Sequence, residues 1–127
     1  MKILLDTHVF LWIVADDPRL PRRFRSHFEN PANEVFLSIA SCWEIIIKVS
    51  LNRLRLPLPA ADYLMKQLDK NQVALLGIRP AHLKELENLP PLHADPFDRM
   101  IVAQARSESM GLLSTDKALR GYKARMP

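Results

Sequence analysis

The chain has 127 residues, yet it holds a single cysteine, three glycines and no apolar run longer than that from Val9 to Ala15. Each scarcity excludes something. One cysteine, Cys42, permits no intrachain disulfide and no cysteine-built zinc site, which fits a reducing compartment. Glycine stands only at 77, 111 and 121, so neither a Walker A loop nor a dinucleotide fingerprint can be assembled. The Val9–Ala15 run is far too short to cross a bilayer. The opening Met1–Leu5 segment is interrupted by Asp6 and His8 with no small-residue cleavage site behind it, unlike a signal peptide. A cytoplasmic protein without a membrane partner is expected.

What is there reads as one globular domain over 1–127, with 48% hydrophobic and 25% charged residues. The net charge of +4 leans mildly toward polyanionic partners. Short, predominantly apolar runs at 3–5, 35–37, 73–78 and 112–114 alternate with helical spacing. That alternation predicts a parallel sheet covered by helices, a three-layer α/β/α architecture. The helix after Asp6 is apolar nearly all round, which suits deep burial or a subunit interface. A basic helix is expected from Pro21 to Glu29. Trp43, Ile46, Ile47 and Leu51 mark the apolar stripe of a further helix, with Asn52 as its left-handed cap. Helices are also expected around Ala61–Leu68, from Pro80 to Leu89 and from Asp95-Pro96 to Met110, the last stopped by Gly111. Gly121–Pro127 carries only a faint signal for a fifth strand.

Four acids occupy corresponding places in this pattern. Asp6 closes the first strand, Glu44 lies early in the helix after the second, Asp98 lies in the first turn of a long helix, and Asp116 follows the last strand. In a parallel sheet, strand ends and the starts of the following helices share one edge, where ligand crevices open. Each of three has a local explanation. Ser41-Cys42-Trp43-Glu44 fits a capping box, Asp95-Pro96-Phe97-Asp98 fits an N-cap with an acid three residues on, and Asp116 sits at a helix start. Asp6 has none, since an acid ending a buried strand faces either a crevice or a desolvation cost. Four clustered carboxylates repel one another, and a divalent cation relieves that repulsion. Oxygen ligands without cysteine select Mg²⁺ or Mn²⁺.

The residues Leu4-Leu5-Asp6-Thr7-His8, Ser38-Ile39-Ala40-Ser41-Cys42-Trp43-Glu44-Ile45, His93 to Ala105 (HADPFDRMIVAQA) and Leu113-Ser114-Thr115-Asp116 span nearly the whole chain. In this order and spacing they resemble the PIN-domain ribonucleases, and among them the VapC toxins of VapBC toxin–antitoxin pairs. The resemblance implies a metal-dependent endoribonuclease with Asp6, Glu44, Asp98 and Asp116 as its acidic quartet. It implies a homodimer, a VapB-like antitoxin whose C-terminal segment covers the active site, and tRNA or ribosomal RNA as the substrate class. Two departures stand out: Asn52 where relatives often carry glycine, and the faint fifth strand.

On that basis Asp6 and Asp98 are expected as the principal Mg²⁺ or Mn²⁺ ligands. Glu44 would serve a second metal or a metal-bound water, and Asp116 would bind through water or orient the nucleophile. Ser38 and Thr115 are expected to donate hydrogen bonds to these carboxylates, with Thr7 beside Asp6. Asp95 reads chiefly as an N-cap, Arg99 as a partner of a carboxylate or a phosphate, and His8 and His93 as neighbours without a set role. Arg22 and Arg23 in one basic cluster (Arg19 to Arg25), and Lys117 and Arg120 in another (with Lys123 and Arg125), are candidates to track RNA phosphates. The competing readings are a receiver-like signalling domain, which wants a second acid where Thr7 stands, and a PIN nuclease acting on another nucleic acid.

Overall fold

A computed structural model describes residues 1–122 and 124–127; Lys123, one of the basic cluster above, lies outside the described residues. Four short strands form one parallel sheet: β1 (Lys2–Leu5), β2 (Glu34–Ser38), β3 (Val73–Leu76) and β4 (Gly111–Leu113). Their order is β3-β2-β1-β4, all neighbours parallel. The register sets Leu5 against Leu37 on one side and against Leu113 on the other, so the strand ends are level. Chain direction along the sheet reverses at β1, which makes the β1/β4 edge the place where a crevice opens.

Six α-helices cover the two faces: α1 (Thr7–Ala15), α2 (Arg22–Glu29), α3 (Ile39–Ser50), α4 (Ala60–Lys70), α5 (Pro80–Glu87) and α6 (Pro96–Ser107). A 3-10 helix, Lys117–Tyr122, follows β4. Side chains along a strand alternate between faces, and the core divides accordingly. Ile3, Leu5, Val35, Leu37, Val73 and Leu113 pack with Val9, Phe10, Phe24, Ile45 and Leu64. Leu4 and Leu112 pack on the opposite face with Ile101, Val102, Met110, Leu119 and Tyr122. The three-layer α/β/α expectation is met, with four strands among the described residues. The C-terminal segment forms no fifth strand there; it touches β4 through one backbone bond, Leu112 N–H to the Arg125 carbonyl at 2.7 Å.

Three local expectations change. The buried face of α3 is Ala40, Ser41, Cys42, Glu44 and Ile45, while Trp43 is 60% exposed and Leu51 55%. The two ends of the expected stripe therefore face outward while Ile46 and Ile47 are half-buried, because α3 is apolar on two sides and the sheet can cover only one. The N-cap of α3 is Ser38, whose hydroxyl accepts from Ala40 N–H at 3.0 Å, so Ser41 sits inside the helix and no Ser41–Glu44 capping box forms. Gly111 does not stop α6. Ser109 takes the left-handed conformation (φ 56°), and Gly111 opens β4, where a Cβ would lie 2.8 Å from Pro127 Cγ. Asn52 does adopt the left-handed cap at φ 57°.

Candidate metal centre

Asp6, Glu44, Asp95, Asp98, Thr115 and Asp116 line one cavity of about 330 Å³, together with His8, Trp12 and Lys48. The four acids singled out by position in the sequence are thus brought together from β1, α3, α6 and the segment after β4. Parallel strands alone achieve this. Asp6 leaves β1 and becomes the N-cap of α1, and Asp6 N–H is tied to the Leu113 carbonyl of β4 at 2.9 Å.

The half of the site nearest the sheet is fully hydrogen-bonded. Asp6 is buried; its Oδ1 accepts from Thr7 N–H at 2.7 Å and its Oδ2 from Ser114 Oγ at 2.7 Å. Burial pushes the Asp6 carboxyl above its ordinary range, against the lowering effect of those two donors. Glu44 is also buried. Its Oε1 accepts from Thr7 Oγ1 at 2.8 Å, and its Oε2 lies 3.0 Å from Lys48 Nζ, one helical turn on. Thr7 thus bridges the two acids, and Ser41 Oγ stands 2.9 Å from its hydroxyl.

The outer half is different. Asp98 stands at the third position of α6, after Asp95 and Pro96. Asp95 Oδ1 caps the helix, accepting from Phe97 N–H at 2.8 Å and Asp98 N–H at 3.2 Å. Partial burial pushes the Asp98 carboxyl up to about 7, reinforced by the nearby charges of Asp6 and Asp95. Asp116 Oδ1 accepts from Ala118 N–H at 2.9 Å and so caps the 3-10 helix. Between these two acids lies His93. Its Nε2 is 3.0 Å from Asp98 Oδ2 and 3.4 Å from Asp116 Oδ2. Its Nδ1 accepts from Asp95 N–H at 3.3 Å, which leaves the ring proton on Nε2, facing the acids.

One ligand atom from each of His93, Asp98 and Asp116 falls within a 4.8 Å span. With Asp6 and Glu44 on the same cavity wall, the donor set is almost entirely carboxylate oxygen. Such a set suits a hard divalent cation. An Asp98 carboxyl held near 7 also fits: its charge lacks a full counterion within the protein, and a cation would supply one.

Other expected residues lie elsewhere or act differently. Ser38 is fully buried and spends its hydroxyl capping α3; it is not on the cavity wall. Thr115 is on the wall, but the hydroxyls that reach the carboxylates belong to Thr7 and Ser114. Arg99 turns away, donating to the Pro90 carbonyl at 2.9 Å and to Tyr122 Oη at 3.1 Å. Arg22, Arg23, Lys117 and Arg120 are all exposed; Arg23 and Arg120 share a pocket of about 330 Å³ with Ser114, whose hydroxyl bonds Asp6. Burial pushes the Cys42 thiol up to about 11, so it is a packing group rather than a nucleophile. Two site residues went unnoticed in the sequence: Lys48 and Ser114. Lys48 was signalled only by its i, i+4 spacing from Glu44, and Ser114 only by its place at a strand end.

This is a doubly covered parallel α/β domain with a carboxylate-lined crevice where strand order reverses. The PIN domain family model matches residues 3–124. The chain belongs to the PIN domain family. Among curated proteins it is similar to "Ribonuclease VapC22" of Mycobacterium tuberculosis, 29% identical over 126 residues, covering 98% of this chain and 95% of that protein. Among solved structures it resembles one described as VapBC2 from Rickettsia felis bound to a DNA fragment from their promoter. The TM-score is 0.74 at 13% identity, with 99% of this chain and 96% of that one covered, a likeness of fold.

Proposed function

We propose that this chain is a divalent-metal-dependent endoribonuclease and the toxin of a toxin–antitoxin pair. The observation that carries the reading is the convergence of Asp6, Glu44, Asp98 and Asp116, from four separate segments, on one cavity at the carboxyl edge of the sheet. Membership of the PIN family and the VapC-type relatives support it.

Asp6, Asp98 and Asp116 would hold Mg²⁺ or Mn²⁺, with Glu44 behind them. When bound, such an ion makes water acidic enough to attack and neutralises charge growing on the scissile phosphate. The chain's own residues set up the chemistry. Thr7 N–H and Ser114 Oγ fix both Asp6 oxygens, so the carboxylate needs no reorganisation. Asp95 starts α6 so that Asp98 stands at its positive end, which favours the ionised acid. His93 Nε2–H aligns Asp98 with Asp116. Arg23 and Arg120 have no ion-pair partner among the described residues, and their pocket beside Ser114 suits a neighbouring phosphate of the RNA strand.

The partners follow from two surfaces. A groove of about 470 Å³ shares His8, Trp12 and Lys48 with the acid cavity. Leu54, Leu56 and Tyr63 give it apolar walls, and Arg53 and Arg55 make it basic, which suits an antitoxin segment carrying both apolar and acidic side chains. On the other side of α3, exposed Trp43 meets Phe97 edge to face at 5.1 Å, beside exposed Ile39 and Ile78. That outward stripe suits a homodimer contact.

The test is incubation of antitoxin-free protein with total bacterial RNA in Mg²⁺ or Mn²⁺, beside an EDTA lane and Asp98→Asn. Discrete fragments absent from both control lanes are expected, and sequencing them identifies tRNA or ribosomal RNA as the target. Cleavage that persists in EDTA, or in the Asp98→Asn lane, contradicts the reading.

A further inference from the structure

Among the described residues, Lys48 is the only lysine or arginine on the wall of the acid cavity, beside five carboxylates: Asp6, Glu44, Asp95, Asp98 and Asp116. An ordinary i, i+4 pair on a helix surface is mobile and contributes little. This one is built differently. Its acid, Glu44, is buried, and the other Glu44 oxygen is pinned by Thr7 Oγ1 at 2.8 Å. The Lys48 Nζ is therefore anchored 3.0 Å from a fixed oxygen, while its side chain stays 34% exposed where the acid cavity meets the neighbouring groove. A cation kept this way inside an acidic pocket opposes the binding of a second cation, so holding metal does not account for it. A phosphodiester entering the cavity does. It carries two non-bridging oxygens, and Asp6, Asp98 and Asp116 would hold the ion that neutralises part of its charge. One of those oxygens is left to a preset ammonium.

We propose that Lys48 is a phosphate-binding residue of the nuclease, that its Nζ takes a non-bridging oxygen of the RNA phosphate, and that Glu44 is the positioning residue that holds it there. This rests on the nuclease reading and changes the task of Glu44 within it, from serving a second metal to anchoring the ammonium.

The test is a pair of measurements on Lys48→Met, which keeps the length of the side chain, and on Lys48→Gln and Lys48→Arg. Removing a positive charge from among carboxylates strengthens metal binding, so Mn²⁺ titration of the neutral variants should give a Kd lower by about threefold or more. Their kcat/KM on RNA should fall by about tenfold or more, as for loss of one transition-state hydrogen-bond donor. Lys48→Arg should recover most of the cleavage and the wild-type Mn²⁺ affinity. Opposite signs in the two readouts distinguish phosphate contact from support of the fold, which would weaken both together. Weaker Mn²⁺ binding in the variants overturns the proposal, as does cleavage equal to wild type. A wild-type protein that cleaves and binds Mn²⁺, beside variants that behave identically, overturns this proposal alone. A wild-type protein that does neither overturns the nuclease reading and this one with it.

Discussion

The two halves of the acid site are built to opposite rules. On the sheet side, every carboxylate oxygen of Asp6 and Glu44 has a donor or cation within 3.0 Å, all from the protein. On the outer side, Asp98 is reached, among the described residues, only by His93, and its carboxyl is held near 7. The carboxylates of the sheet half are held in place by the protein alone; Asp98 of the outer half is not. A site of this kind fixes geometry with one set of acids and leaves the other set to be neutralised by what binds.

The largest effect is expected from neutralising one acid of the outer half. Asp98→Asn should lower RNA cleavage by about a thousandfold, as expected when a centre of electrostatic stabilisation is removed. The fold should survive, since Asp95 and not Asp98 supplies the cap of α6. Cleavage rates and a thermal melt check both halves of that statement.

The second prediction concerns pH. The Asp98 carboxyl is raised in the folded state from about 4 to about 7. The protonated form is the one the fold tolerates, so its contribution to stability is fully present below pH 4 and is lost as pH rises through about 7. In EDTA the wild-type denaturant midpoint should fall across that window. Asp98→Asn should flatten the fall, and Mn²⁺ should reverse it.

Smaller effects separate the halves further. His93→Ala touches only the outer half. It should weaken Mn²⁺ binding by about tenfold, the usual loss for a group that orients a metal ligand. Its melting temperature should stay within about 3 °C of wild type. Ser114→Ala strips one donor from the buried Asp6 carboxylate of the sheet half, and with it the acceptor of Asp116 N–H at 3.0 Å. It should cost about 1–2 kcal/mol of stability, read from denaturant unfolding. Equal effects of His93→Ala and Ser114→Ala on stability would erase the distinction.

Much of the frame was legible in the sequence because it depends on local signals. Ile3–Leu5 and Leu112–Leu113 are wholly apolar and short, and their ends at Asp6 and Ser114 fix the crevice. Asp95-Pro96 declares the start of α6 through capping chemistry alone. What escaped depends on rotation and tertiary contact. Helical spacing identifies Trp43, Ile46, Ile47 and Leu51 as a stripe, but not which side of α3 the sheet will cover. Composition marks Ser38 and Thr115 as hydroxyls near acids, but only the register of β1 with β4 tells that Ser114 is the one that reaches Asp6. Arg99 next to Asp98 suggested a charge contact. One residue along a helix turns a side chain by roughly 100°, and Arg99 faces Tyr122 instead.

Asp98 belongs, on this reading, to an outer half completed by a divalent cation. Calorimetric titration of Mn²⁺ into the metal-free protein near pH 6.5, in two buffers of different ionisation enthalpy, tests it most directly. A carboxyl held near 7 is mostly protonated at that pH and must ionise to bind, so roughly three-quarters of a proton should be released from it per ion bound. Asp98→Asn should bind weakly and release fewer protons than wild type. Tight Mn²⁺ binding without proton release, or binding that Asp98→Asn leaves unchanged, would contradict the account.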